Sequence, residues 1–379
     1  MKDIFIIHID TGDSWRGGQQ QAFYLHQSLC INGVKSLMIC RKRSAMKRVC
    51  EEKGLPYYCL PLASEFDLYS GYMIARMVSE LEIRNEKLEI KTPMGNSKLI
   101  LQLHTAHAVS IGLIAKWFRR KIKLVAVRRV DYPLSKVKYN HKFLDVLVCV
   151  TKDIYEIALK YGVYKDKLLV INSGIDTEKY RVCDDNDLKA ERAELMSLYD
   201  IPKDHLIIGT AGAFSKQKDY PTLLKTARII LDKYRNITFV AIGDGEQRDT
   251  IVSLHKSLDL GKSFVLAGFQ ADNRKYIHFF DIFVLTSKNE GFVNSVLDAM
   301  SAGKAVVATK VGGVPEMIKH EINGLLAEKE NPEDIAEKLA ILIDDAGLRD
   351  KLSKQAIVDV QEFDIKNTVK KYVELYGGL

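Results

Sequence analysis

The chain has 379 residues and a net charge of +7, with 47% hydrophobic and 28% charged residues, which is typical of a folded globular protein and not of a disordered one. This length exceeds what one hydrophobic core usually serves, so we expect two domains. The sequence contains no apolar run of about 18 residues, which excludes an obvious membrane-spanning helix.

Short β-rich apolar runs alternate with segments of helical periodicity from the N-terminus onward. The opening MKDIFIIHID lacks a basic region and a cleavage site, so we interpret it as a first strand and not as a signal peptide. Ala22, Leu25 and Leu29 recur at helical spacing and predict a helix over 18–32 that ends before Gly33. The strand candidates in this half are 4–9, 36–40, 99–103, 123–127, 146–150 and 168–171.

The same alternation restarts after residue 204. Asn331 followed by Pro332 predicts the start of a later helix, and the polar stretch 176–204 is interpreted as a linker. The strand candidates here are 205–212, 237–243, 263–268, 281–286 and 305–309. We therefore expect two doubly wound, mostly parallel sheets, with a cleft between the domains and ligands outside the carboxyl ends of the strands.

The segment 287–309 has the strongest chemical signal. Glu290 follows a predicted strand, and Asp298 lies eight residues later inside a predicted helix that begins near Asn294. Carboxylates at this spacing can line one edge of a ligand and accept hydrogen bonds from sugar or ribose hydroxyls, and the helix N-terminus offers N–H groups to a phosphate. A first-turn acid and a solvated helix acid are the alternative interpretation.

The same segment resembles the E-x7-E region of the retaining glycosyltransferases of family 4. Those enzymes commonly read E-G-F-x-x-x-x-L-E-A-M, and this chain reads E-G-F-V-N-S-V-L-D-A-M over 290–300, with Asp298 for the second Glu. The resemblance continues through 303–318, 322–326, 241–249 and 209–227 and is looser in the first half. It implies a GT-B fold, α/β, with two facing Rossmann-like domains. We assign the acceptor domain to 1–180, with a C-terminal helix of about 360–379 packing back on it, and the donor domain to 181–359.

In that family the first acid contacts the donor sugar and the second the ribose, which implies these roles for Glu290 and Asp298. Lys218 matches the phosphate-binding lysine, but the arginine that usually accompanies it is replaced by Ala213. Lys216 or a basic residue of the first domain is expected to compensate. Asn294 and the loop glycines Gly243 and Gly245 complete the predicted donor site; ordinary turn chemistry also explains the glycines.

Three features of the first half follow predicted strands. Gly17 and Gly18 open a helix and match a family glycine pair beside the donor phosphates, but the glycine fingerprint of dinucleotide binding is absent. His104 resembles a family histidine near the donor sugar, and we place it with Glu290 as catalytic. The pair Arg128 and Arg129 suits an acceptor phosphate or carboxylate, or an ion pair with Asp131.

The resemblance implies a metal-independent, retaining glycosyltransferase. A nucleotide sugar would be the donor and a glycan or lipid-linked molecule the acceptor, in polysaccharide or lipopolysaccharide assembly at the cytoplasmic side of the cell membrane. We expect no cofactor and no metal. The alternatives are a GT-B-shaped UDP-sugar epimerase, a nucleic-acid-binding protein, for which no motif is present, and a nicotinamide-dependent oxidoreductase, which lacks its fingerprint.

The six cysteines are Cys30, Cys40, Cys50, Cys59, Cys149 and Cys183. They form no C-x-x-C pair, so the sequence does not predict a zinc site. We expect reduced thiols, as is usual in the cytosol.

Positive charge is concentrated in the first half. Residues 1–183 contain 30 Lys or Arg against 18 Asp or Glu, a difference of +12, whereas the remainder has 26 against 31, a difference of −5. Two basic clusters, 41–48 and 116–123, carry much of the excess, and the second includes Trp117, Phe118 and Ile122. This pattern is typical of contact with an anionic bilayer and equally of a solvated helix that turns its apolar side to the core.

Overall fold

The computed structural model describes residues 4–83, 98–131, 134–181 and 185–379, without the side chains at 79–83 and 185. The chain forms two compact units. Unit 1 contains Met1–Gly174 and Ile365–Leu379, and unit 2 contains Ile175–Asp364. The chain therefore passes from one unit to the other after residue 174 and again after residue 364. Sequence analysis placed the first boundary at residue 180 and expected a C-terminal helix of about 360–379 to pack back on the first domain.

Unit 1 is built on a sheet of seven strands in the order β3-β2-β1-β4-β5-β6-β7, with every neighbouring pair parallel. Starting from β1, the chain adds β2 and β3 on one side of the sheet and then β4 to β7 on the other. The switch point, where doubly wound sheets bind ligands, therefore lies between β1 and β4. The strands are β1 Ile4–Ile9, β2 Lys35–Cys40, β3 Tyr57–Cys59, β4 Lys98–Leu103, β5 Lys123–Arg128, β6 Val146–Cys149 and β7 Leu168–Val170.

Helices connect these parallel strands, as crossover geometry requires. The last helix of the chain returns to unit 1 and packs against its first. The helices of unit 1 are α1 Gly17–Ile31, α2 Ala45–Glu52, α3 Leu68–Ile83, α4 Ala106–Phe118, α5 Lys136–Tyr139 and α6 Lys152–Lys160, and after unit 2 the chain closes with α15 Ile365–Gly378.

Unit 2 repeats the same strand order with six parallel strands, β10-β9-β8-β11-β12-β13. Its switch point lies between β8 and β11. The strands are β8 Leu206–Ala211, β9 Ile237–Ile242, β10 Phe264–Gly268, β11 Ile282–Leu285, β12 Ala305–Thr309 and β13 Leu325–Ala327. The helices are α7 Asp185–Leu198, α8 Tyr220–Lys233, α9 Arg248–Ser257, α10 Arg274–Phe279, α11 Asn294–Ser301, α12 Val314–Met317, α13 Pro332–Asp344 and α14 Ala346–Asp359.

The strands predicted from apolar runs are confirmed to within one or two residues at each end. The helix over 18–32 is confirmed as α1, and Gly33 follows it with a φ of +70°. Asn331 caps α13 by accepting from the backbone N–H of Asp334, and Pro332 is the first helical residue. The sequence did not predict β3 and β13, which are three-residue strands at sheet edges and carry too short an apolar run to be noticed.

The linker prediction over 176–204 is wrong for residues 185–198, because these form α7. Leu195 and Met196 are buried in the core of unit 2, and Arg192 forms an ion pair of 2.9 Å with Asp281. The sequence analysis missed this helix because the segment is rich in charged residues, but its few apolar side chains pack into the core of unit 2.

None of the described helices combines the length and the apolar character that crossing a bilayer requires. Five of the cysteines are free thiols, and Cys183 lies outside the described residues. Burial raises the pKa of the Cys40 and Cys50 thiols to about 12, so these two side chains act as small apolar groups of the core.

Candidate functional site

Lys218 and Glu290, which sequence analysis selected separately, are in direct contact in unit 2. The Lys218 Nζ donates to Glu290 Oε1 at 2.6 Å. Lys218 follows β8 and Glu290 follows β11, so the two strands that meet at the switch point each supply one member of the pair. The Glu290 side chain is 6% exposed and that of Lys218 20%, which leaves the cation the more accessible partner.

Neighbouring polar groups hold the Glu290 carboxylate in place. Ser287 Oγ donates to Oε1 at 2.6 Å, and Gln217 Nε2 donates to Oε2 at 3.3 Å. Thr286 Oγ1 in turn donates to the backbone carbonyls of Lys218 and Asp219 at 3.1 and 3.2 Å. Sequence analysis missed these supporting residues, although Thr286 ends the predicted strand 281–286, Ser287 directly follows it, and the same strand-end rule points to them.

Glycines let the loops around this pair approach one another closely. Gly312 has a φ of +47°, and a Cβ atom there would lie 1.7 Å from the Glu290 carbonyl oxygen. Gly243 has a φ of +146°, and its Cβ would lie 1.9 Å from the Gly212 carbonyl oxygen. A Cβ atom at Gly245 would lie 2.7 Å from the Phe214 carbonyl oxygen. Loop packing alone therefore requires glycine at these positions, and contact of Gly243 and Gly245 with a donor stays a prediction.

Asp298 lies in α11, whose first residue is Asn294, as the sequence predicted. Its carboxyl group lies beside Tyr180 and Asn273 rather than joining the Lys218–Glu290 pair, and Tyr180 Oη donates to Asn273 Oδ1 at 2.8 Å. Burial is the main cause that raises the pKa of Asp298 to about 7. Near neutral pH this group therefore exists both as an acid and as a carboxylate.

Ala213, which occupies the place of the family's second phosphate-binding cation, is exposed, as is Lys216. The Lys218 side chain crosses the neighbouring Gly212, whose Cβ position would lie 3.3 Å from Lys218 Cε. Within the loop after β8, Lys218 is thus the cation that reaches the carboxylate.

In unit 1 the predicted glycines lie beside one of the predicted arginines. Gly17 and Gly18 begin α1, and a Cβ at Gly18 would lie 3.8 Å from Arg129 Cδ. Asp10, which directly follows β1, accepts from the Gly12 backbone N–H at 2.8 Å and from the Gln19 amide at 3.4 Å. Burial raises the pKa of Asp10. Sequence analysis did not identify Asp10 as a candidate, although it is a strand-end polar group.

His104 contacts Arg129 and not Arg128. Arg129 donates to the His104 carbonyl oxygen at 3.3 Å and lies 3.1 Å from the ring Nδ1. Arg128 instead places its guanidinium 5.9 Å from the ring centre of Tyr139. The two arginines, which looked like one bidentate pair in the sequence, therefore contact different groups. His107 lies exposed on α4.

Within the described part of the chain, no three His, Cys, Asp or Glu residues come together in a group that could hold a metal ion.

Known proteins resemble this chain in both sequence and fold. Residues 191–359 match the family model described as glycosyl transferases group 1. The N,N'-diacetylbacillosaminyl-diphospho-undecaprenol alpha-1,3-N-acetylgalactosaminyltransferase of Campylobacter jejuni is 30% identical over 267 residues, 70% of this chain and 68% of that enzyme. The chain belongs to the group 1 glycosyl transferases.

Two further similarities concern other members of this group and the fold. A lipopolysaccharide core biosynthesis glycosyltransferase of Rhizobium meliloti is 28% identical over 225 residues, 59% of this chain and 61% of that protein. The structure of Anabaena HepE in complex with UDP and glucose superposes with a TM-score of 0.82 at 18% identity, covering 99% of this chain and 100% of that one. The predicted GT-B fold is confirmed by this structural similarity. The roles of individual residues in this group 1 glycosyl transferase remain predictions.

Proposed function

We propose that the chain transfers a sugar from a nucleoside-diphosphate donor to a lipid-linked glycan acceptor, with retention of configuration at the sugar. The Lys218–Glu290 pair carries this proposal, because it places a cation and a carboxylate side by side at the end of the sheet of unit 2. The C. jejuni relative is named for a diphospho-undecaprenol acceptor, and the R. meliloti relative for lipopolysaccharide core synthesis. Both names support cell-envelope glycan assembly.

The pair suits the two charges of such a reaction. A leaving nucleoside diphosphate gains negative charge as the glycosidic bond breaks, and the Lys218 ammonium can exchange Glu290 for a phosphate oxygen. Glu290, held by Ser287 and Gln217, can then accept hydrogen bonds from sugar hydroxyls. The donor's own phosphate would guide the acceptor hydroxyl to the face that the leaving group occupied, so the protein contributes positioning and charge stabilisation.

An epimerase was the alternative that the sequence left open. Both relatives named above are glycosyltransferases by name, and the group 1 family model covers the segment with Glu290. We therefore propose transfer to an acceptor and not rearrangement of the donor sugar.

A transfer assay tests the proposal. Purified protein is incubated with radiolabelled UDP-, GDP- or ADP-sugars and a lipid-diphosphate-linked acceptor, after a thermal-shift screen has selected the nucleotide that stabilises the fold. We expect label in the lipid fraction only when donor and acceptor are both present, and the α or β configuration of the product decides retention. A donor sugar that changes stereochemistry without an acceptor would favour the epimerase.

The same assay with excess EDTA tests metal independence. We propose that Lys218 and the N-terminus of α11 offset the diphosphate charge in place of Mg²⁺. Transfer should then continue in EDTA at a rate close to that without chelator. Activity that disappears in EDTA and returns with Mg²⁺ or Mn²⁺ would overturn this part of the proposal and leave the transferase assignment standing.

We further propose that unit 1 contacts an anionic membrane surface. Helices α3 and α4 pack together and expose an aromatic patch, in which Tyr72 lies against Phe118 with ring centres 5.5 Å apart and Phe118 against Trp117 at 4.9 Å. Tyr72, Trp117 and Phe118, which form this aromatic patch, are all exposed, and further exposed apolar side chains at or just before the start of α3 are Phe66, Leu68 and Tyr69. Aromatic side chains beside cations are typical of surfaces that bind the bilayer interface.

The structure corrects the composition of the basic cluster at 116–123. Ile122 is 1% exposed and belongs to the core. Lys116 is also buried, with its Nζ bonded to the Asp145 carboxylate and the Phe143 carbonyl oxygen. The exposed cations beside the aromatic patch are Arg120 and Lys121. The cluster spans the end of α4, a turn and the start of β5, so it is not a single helix face.

Co-sedimentation with vesicles checks the membrane proposal. The protein should sediment with vesicles that contain anionic lipid, not with neutral ones, and about 0.5 M salt should release it because the Debye length falls to about 4 Å. Changing Arg119, Arg120 and Lys121 to Gln should abolish binding, and Trp117→Ala should weaken it. A matched control removes three exposed lysines from other elements of unit 1, Lys53, Lys160 and Lys165. Equal losses in both triple variants would mean that only net charge matters and that the patch is not the contact surface.

A further inference from the structure

Three side chains form a continuous hydrogen-bonded line at the switch point of unit 1. The Arg129 guanidinium lies 3.1 Å from His104 Nδ1, and His104 Nε2 lies 2.9 Å from His8 Nδ1. The two imidazole planes differ by only 17°, with ring centres 5.1 Å apart, so the rings meet edge to edge. In this arrangement an N–H of one ring points at the lone pair of the other.

The chemistry of the three groups fixes where the protons lie. A guanidinium only donates hydrogen bonds, so His104 Nδ1 must accept and carries no proton. Neutral His104 therefore has its proton on Nε2 and donates it to His8 Nδ1. His8 must then carry its own proton on Nε2, which has no hydrogen-bond partner among the described residues. Each step follows from the previous one, and Arg129 and His8 favour the same tautomer of His104 from the two sides of its ring.

We propose that His8 is a positioning residue that holds His104 in the Nε2–H tautomer, so that His104 anchors the Arg129 guanidinium beside the N-terminus of α1. Both ring nitrogens of His104 are then occupied, and Arg129 is the member of the line that faces an anionic ligand. The ligand role of Arg129 rests on the proposed function, with phosphate of the donor or acceptor as the anion. The tautomer assignment does not depend on it.

The groups around the line keep both histidines neutral. His8 and His104 are buried, which is the main cause that lowers the pKa of both rings well below the usual value, and the Arg129 charge lowers both further. The groups that face the line are His26 of α1, Asp10 after β1, and Tyr372 and Tyr376 of α15. His26 is itself fixed by Ser36 at 2.7 Å and by the Pro56 carbonyl at 3.1 Å.

The experiment is nitrogen-15 NMR of the histidine side chains in the full-length protein. With ¹⁵N-histidine labelling, the nine histidines are assigned from single variants, with His107→Gln as the control because His107 is exposed on the adjacent helix. We expect His104 to show a protonated Nε2 and an unprotonated Nδ1, and no titration between about pH 5.5 and 8, where an ordinary histidine changes its charge. A proton on His104 Nδ1, or titration in this range, overturns the proposal.

Two substitutions at His8 test the positioning role. Asn offers an acceptor oxygen close to the position of Nδ1, whereas Leu offers none. His8→Asn should keep the His104 tautomer, and His8→Leu should release it and broaden or shift the Nε–H signal of ¹⁵N-labelled Arg129. In the transfer assay His8→Leu should lower kcat about tenfold, which corresponds to about one hydrogen bond, with partial rescue in His8→Asn.

The readouts separate this inference from the proposed function. The tautomer and the Arg129 signal are measured without substrate, so they decide the inference even if the transfer assay shows no activity. An unchanged Arg129 signal and unchanged kcat in a folded His8→Leu variant would overturn the positioning role. If His8→Leu does not fold, the wild-type spectrum and His8→Asn still decide the tautomer.

Discussion

Replacement of Glu290 by Ala is expected to lower turnover by about 10²-fold or more, the effect of removing one preorganised electrostatic contact. In the proposed reaction this carboxylate contacts the donor sugar as the bond to the diphosphate breaks. The structure supports such preorganisation, because Lys218, Ser287 and Gln217 all donate to the carboxylate. Steady-state kinetics with the selected donor measures the change in kcat and in kcat/KM.

Two further variants control the interpretation of that result. Glu290→Gln keeps the shape of the side chain and removes the charge, so a loss as large as that of Ala would show that the charge is what matters. Glu333→Gln removes an exposed acid from α13 of the same unit and should leave turnover unchanged. Because Glu290 accepts several hydrogen bonds, we expect the Ala variant to be less stable by about 1–3 kcal/mol and still folded. Turnover like that of the wild type would remove Glu290 from the site.

Replacement of Lys218 by Ala should weaken binding of the nucleoside diphosphate by about 1.5–3 kcal/mol, or about 10–150-fold in Kd, the range for a hydrogen bond to a charged group. With Ala213 in place of a second cation, we expect Lys218 to carry a larger share of the phosphate charge. The variant also leaves Glu290 without its cation, so the remaining carboxylate repels the diphosphate. Titration calorimetry at low and at high salt measures both the loss of the lysine–phosphate contact and the repulsion by Glu290.

The free nucleoside is the matched ligand for this variant, and Lys225→Ala is the matched protein. Lys225 is an exposed lysine of α8 in the same unit, so its removal changes net charge equally. We expect Lys225→Ala to bind the diphosphate normally and Lys218→Ala to bind the free nucleoside normally. Equal losses of Lys218→Ala for both ligands would show that this lysine does not touch phosphate.

The sequence by itself determined most of the succession of strands and helices along the chain and the location of the main candidate residues. Buried parallel strands are continuous apolar runs, so 237–243 and 305–309 were recognisable without any tertiary information. Glu290 was identifiable because ligand-binding groups in such sheets follow the carboxyl ends of strands, whereas Lys218 was identified through the family resemblance. Family resemblance added the roles, which periodicity and spacing do not supply.

Only the tertiary structure decided which of these residues contact one another. Lys218 and Glu290 are 72 positions apart, yet their side chains meet because β8 and β11 are neighbours in the sheet. Nothing in the sequence was a reason to select His8, which lies in an apolar strand. In the structure β4 pairs with β1, and His104, which follows β4, contacts His8.

The tertiary structure likewise decided which side chains are buried. Lys116, Trp117 and Ile122 lie in the same basic cluster of the sequence. In the structure Lys116 and Ile122 are buried, whereas Trp117 is exposed. Sequence periodicity describes one element at a time, whereas hydrogen bonds, ion pairs and burial depend on how two or more elements pack together, and that is set by the fold of the whole unit.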